Sequence, residues 1–173
     1  DAARVTAELV RRHAGNSGLL NEVAADLLED GDEPAAASLL EQALSIAPDN
    51  PGVLHNMGVA CARLGSLERA EAMLRRALER QPAGSPASDA SHAALAGVLA
   101  TRGFAEDALE IAQALIAEDR EPVHAWTVMG TVAARRRRSG WAPASCRWTS
   151  PIPPPSAPWR RMWRRMRARW TGW

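Results

Sequence analysis

Apolar and polar positions from residue 17 to residue 134 recur with a helical period rather than the alternation of a strand. In 51–84, Leu54, Met57, Val59 and Cys61 form one apolar face, and Leu67, Ala70, Leu74 and Ala77 form another. Gly65 stands between the two, with Gly31 and Gly103 in the corresponding gaps. Such a residue can take the left-handed conformation that ends a helix. Asp32 and Ser66 follow two of these glycines and are predicted to cap the next helix. Pro34 falls in that helix's first turn, where its missing N–H costs little. Pro48 and Pro82 obstruct further helix and close their pairs.

The pairs recur at a constant offset. Residues 17–50 and 51–84 are each 34 long and align without a gap. Gly31 falls on Gly65, Ala36 on Ala70, Ala43 on Ala77 and Pro48 on Pro82. The segment "SPAS", 85–88, is inserted before a third unit at 89–122, where Gly103 and Ala108 recur. A fourth unit begins at 123, keeps Gly130 in line with Gly58, and is truncated at 136. Residues 1–16 carry the spacing of a second helix from an earlier unit, with Ala2 falling 34 before Ala36 and with Val5, Leu9 and Val10 apolar. The chain is expected to begin inside a longer array. Asp1 in place of an initiator Met points to a fragment or a processed chain.

A 34-residue period with small residues at the eighth, twentieth and twenty-seventh places and proline at the thirty-second resembles the tetratricopeptide repeat. The eighth place holds Ala24, Gly58, Ala96 and Gly130; the twentieth holds Ala36, Ala70 and Ala108. The twenty-seventh holds Ala43, Ala77 and then Leu115; the thirty-second holds Pro48, Pro82 and then Arg120. The fourth place, often Trp in the family, holds Leu20, Leu54, His92 and Trp126. The third unit diverges most. The resemblance implies an all-α, right-handed α-solenoid of stacked helical hairpins. An irregular or amphipathic-helical tail follows at 137–173.

A solenoid binds on its concave face, lined by first helices. In proteins that this sequence resembles, places two, five, six, nine, twelve and thirteen face that groove. They hold Asn21, Glu22, Leu28 and Glu29, then His55, Asn56, Val59 and Arg63. The third unit offers Ala90, Ala93, Ala94, Gly97 and Thr101, and the fourth His124, Thr127, Val128, Thr131 and Arg135. Partner contacts are expected from Asn21, Glu22, Glu29, His55, Asn56, Arg63, Thr127 and Thr131. The convergent basic cluster of carboxylate-clasping members is missing, and so is a continuous Asn ladder.

Catalytic chemistry is not legible. His13, His55, His92 and His124 include no i, i+4 pair that would suit a metal. A phosphate-cradling loop and a nucleophile elbow are both missing. Carboxylates such as Glu106 and Glu110 read as solvated helix faces. Cys61 reads as a small buried apolar side chain, and with Cys146 it makes no disulfide or zinc framework. No cofactor, metal or small-molecule substrate is expected. Without a signal pattern or an apolar run of ~18 residues, a cytoplasmic setting is expected. The expected function is a non-catalytic scaffold that binds a partner peptide or helix. The alternative is the repeat arm of a larger bacterial transferase, acting on sugars or sulfate, whose catalytic domain lies elsewhere.

Charge and composition set the tail apart. Residues 1–134 hold all 20 carboxylates against 10 arginines, net −10, whereas 135–173 hold 11 arginines and no acid. Six of the seven tryptophans lie there. Trp159, Met162, Trp163, Met166 and Trp170 share a helical face opposite arginines, which suits an anionic membrane or nucleic acid if the tail is genuine. The same face also suits an end cap on the solenoid. A third reading, the preferred one, is an altered frame. With GC-rich codons, the last 23 residues read one base along as "DPAAIRAMAKDVAKDARAMDGL", which is balanced in charge and rich in helix formers. The bias of the whole chain toward Arg over Lys, with abundant Ala, Gly and Pro, fits such DNA.

Overall fold

The computed structural model describes residues 15–120 and 122–138. They form seven helices and no strand: α1 (Ser17–Asp30), α2 (Glu33–Ile46), α3 (Pro51–Arg63), α4 (Leu67–Arg80), α5 (Pro86–Arg102), α6 (Ala105–Ala117) and α7 (Pro122–Arg138). The expected helix at 1–14, together with His13, lies outside the described residues. So do the expected tail structure and Cys146.

Each hairpin turns on the same backbone device. Gly31, Gly65 and Gly103 have φ of 81°, 81° and 102°. The next residue's N–H then reaches back to a carbonyl five residues earlier. The three bonds are Asp32 N to Leu27 O at 2.8 Å, Ser66 N to Cys61 O at 2.8 Å and Phe104 N to Leu99 O at 2.9 Å. A residue with a Cβ is strained at that φ, so the glycines set the turn.

The caps divide. Asp32 Oδ1 accepts from Ala35 N at 3.2 Å, as its place predicts. Ser66 stands at the N-cap of α4 but makes no side-chain capping bond, which corrects that expectation. Asn16 and Asn50 cap α1 and α3. The inserted "SPAS" is the start of α5: Ser85 caps it, accepting from Ser88 N at 3.2 Å, and Pro86 opens the helix.

The helices lie in two layers. Each second helix packs between its own first helix and the next one: α2 on α1 and α3, α4 on α3 and α5, α6 on α5 and α7. Neighbouring first helices also touch, α1 with α3, α3 with α5, and α5 with α7, whereas α2, α4 and α6 do not approach one another. First helices are therefore the inner layer of a curved stack. Ala36, Ala43, Ala70, Ala77 and Ala108 are fully buried where helices cross, since a methyl group lets backbones come close. Leu20, Leu40, Leu54, Met57 and Leu74 fill the space between, each contributing roughly 1.5–3 kcal/mol by burial.

The third unit, which departs most from the repeat, packs as fully as the others. Leu115 is buried at a place held elsewhere by alanine. Arg120, at the place of the prolines, pairs with the buried carboxylate of Asp89 at 2.6 Å and with Glu118 at 2.7 Å. Asp119, with φ of 56°, and an Arg120 N–H bond to Leu115 O at 2.8 Å end this pair without proline.

Candidate functional site

The first-helix layer carries the side chains proposed to meet a partner, and hydrogen bonds tie several of them across helices. Asn56 Nδ2 donates to Asn21 Oδ1 at 3.0 Å, joining α3 to α1. His55 Nδ1 lies 2.9 Å from Ser91 Oγ, joining α3 to α5. Both pairs leave their residues half-buried or buried, which fixes rotamers along this face.

Burial holds the His55 imidazole below its ordinary value of 6.5, so the ring is neutral near neutral pH. Its partner Ser91 is fully buried. A histidine beside a serine hydroxyl is the geometry of a base and a nucleophile. Here the hydroxyl is closed to any substrate, so the pair is a structural tie. His92 makes a similar local contact, with Nδ1 2.9 Å from Ser88 O.

Arg63 is already engaged. Its Nη1 donates to Leu28 O and lies 3.8 Å from Glu33 Oε1. Two units later, Arg135 Nη1 donates to Thr101 O. Both carbonyls belong to the last turn of the preceding first helix, where intrahelical donors run out. The thirteenth-place arginines thus cap their neighbours' C-terminal ends, a role that the sequence does not announce.

Glu22 and Glu29 are exposed on α1, and Thr127 and Thr131 on α7. The two threonine hydroxyls donate to their own helix, to Val123 O at 2.9 Å and Thr127 O at 3.0 Å. Thr101 does the same to Gly97 O at 2.9 Å. The face therefore has two characters: carboxylate and amide groups on α1 and α3, then small side chains and methyl groups on α5 and α7. Leu28, Ala93 and Val128, expected in the groove, are buried at about 5% exposure.

Ion pairs on the second helices lie apart from this face. Arg69 meets Glu41 at 2.8 Å, and Arg76 and Arg80 meet Asp49 at 3.5 and 3.2 Å. All are exposed, and such pairs contribute roughly 0–1 kcal/mol each. Cys61 is buried, and burial raises its thiol above the ordinary range, away from reactivity. Among the described residues no three His, Cys, Asp or Glu side chains come together to hold a metal. No described helix is long and apolar enough to cross a membrane.

No curated protein matches the chain. A tetratricopeptide-repeat family model matches residues 27–87, from the end of α1 to the start of α5. Repeats of this kind serve in general as protein-interaction scaffolds and are typically non-catalytic. Over residues 27–87 the chain matches the tetratricopeptide repeat, and the all-helical hairpins of the described residues are consistent with a solenoid of such repeats.

Proposed function

We propose that the first-helix face binds a peptide or helix of a partner protein and performs no chemistry of its own. The observation that carries this is the row of half-exposed side chains running over α1, α3, α5 and α7, held in place by the Asn21–Asn56 and His55–Ser91 bonds. Asn21, Glu22, Glu29, His55 and Asn56 supply the polar end, with Arg63 steadying α1 beneath it. Thr127 and Thr131, with Ala90, Ala94 and Gly97, supply a shallow end that takes a bulky apolar side chain. A partner segment with a basic residue toward α1 and an apolar one toward α5 and α7 fits both.

Selection of displayed peptides on the full chain tests this. Selected peptides should lose about tenfold or more in affinity, 1.4 kcal/mol, against Glu22→Lys/Glu29→Lys and against Ala94→Trp. They should bind Arg76→Ala and Glu79→Ala chains unchanged. If the second-helix substitutions abolish binding and the first-helix ones do not, the groove is not the site.

A further inference from the structure

The His55–Ser91 tie fixes more than the spacing of α3 and α5. Thr101, Thr127 and Thr131 turn their hydroxyls to carbonyls of their own helices. Ser91 does not. Among the described residues its hydroxyl meets His55 Nδ1 alone, at 2.9 Å. Ser91 is fully buried, so water cannot take its proton, and a buried donor left without an acceptor is the costly alternative. The hydroxyl therefore donates to Nδ1, and the proton of the neutral ring stands on Nε2. Nε2 has no partner among the described residues and is open to solvent. A half-buried ring thus presents one oriented N–H donor from the fifth place of α3, a place expected to line the groove.

The charges around that donor decide which acceptor suits it. Glu22, Asp26, Glu29 and Asp30 are exposed on α1. Beyond α1 the first helices change sign. α3 and α7 contain no carboxylate, and that of Asp89 in α5 is buried against Arg120 at 2.6 Å. Arg63 and Arg135 stand at the thirteenth places of α3 and α7, their guanidinium groups on helix carbonyls. A partner's carboxylate is repelled at α1 and attracted toward α3.

We infer that, on the first-helix face proposed above to bind a partner segment, His55 Nε2–H selects an aspartate or glutamate side chain of that segment. The inference rests on that reading of the face. The partner then carries a base toward α1, an acid at His55 and an apolar side chain over Ala94 and Gly97. Capture of the acid is linked to a proton. Burial alone holds the free ring below its ordinary value of 6.5. No charged or titratable group of α1, α2, α4 or α5, the helices packed on α3, contributes, Glu22, Asp89 and His92 included. A carboxylate at Nε2 favours the imidazolium and opposes that burial. Ser91 Oγ then turns to accept from Nδ1. The complex takes up a proton where the free ring is neutral, so binding tightens as pH falls toward about 6.

Peptides selected by display on the full chain at a pH of about 6.5 are the probe. They should carry an aspartate or glutamate whose amide counterpart binds the wild-type chain about tenfold more weakly. The same change should cost about twofold or less on His55→Leu/Ser91→Ala, which leaves no buried hydroxyl without its partner. Affinity should rise about fivefold from pH 7.5 to pH 6.0, with proton uptake measured by calorimetry in two buffers. His55→Gln keeps a donor that does not titrate, so it should bind with a flat pH profile. Peptides that fail on Glu22→Lys/Glu29→Lys and Ala94→Trp but bind His55→Leu/Ser91→Ala unchanged overturn this inference and leave the face as the site. Peptides indifferent to all three chains overturn both. Loss of binding on amidating the peptide's C-terminus, with the acidic side chain dispensable, also overturns it.

Discussion

Gly58 and Gly97 sit in the first helices of successive units, yet they answer substitution with opposite sign. Alanine is favoured over glycine in a helix by about 1 kcal/mol. At Gly97 nothing stands within 4 Å, so Gly97→Ala should raise stability by roughly 0.5–1 kcal/mol. At Gly58 the new methyl meets fully buried Leu74 and the α4 backbone. Overpacking of about 1–3 kcal/mol outweighs the helix gain, and Gly58→Ala should be destabilised by about 1 kcal/mol. Urea melts of the two variants check the sign. His55 gives a second expectation at this scale. Its folded-state value lies below 6.5 because the ring is buried. The unfolded chain therefore takes up a proton first as pH falls. Stability is fully present above about 6.5 and declines below it, by at most about 1.4 kcal/mol per pH unit. The Ser91 hydroxyl can turn to accept from a protonated ring, so the cost is that of burying charge. Thermal melts between pH 7.5 and 5.5 should lose this component in His55→Gln; an unchanged slope would count against it.

At the scale of the element, equivalent places do unequal work. Asp32 and Ser66 occupy the same N-cap place, but only Asp32 accepts a backbone bond. Asp32→Ala should cost about 1 kcal/mol and Ser66→Ala a few tenths at most, measured by denaturant midpoints. The register shows where a cap belongs but not whether the hydroxyl turns to the N–H. The insert at 85–88 teaches the converse. Ser-Pro is a helix-start signal, and the segment lengthens α5 by about one turn. Asp89, which follows the insert, is buried, and Arg120, at the place of the closing prolines, neutralises a carboxylate that has left water.

For the whole molecule, the hairpins, their turning glycines and their alanine contacts follow from residue order. They rest on local rules: helical period, left-handed glycine and the small residues of a close crossing. One unit cannot bury its own apolar stripe, so repetition at 34 residues already implies stacking. The candidate groove was legible in part. Glu22, Glu29, Thr127 and Thr131 are exposed on first helices as their places imply. What only the tertiary structure decided is how these side chains are spent: Leu28, Ala93 and Val128 buried, Arg63 bound to a carbonyl 35 residues back, His55 tied to buried Ser91. Each depends on the distance between first helices of successive units. Side chains far apart in the chain set that distance together, and no local period encodes it.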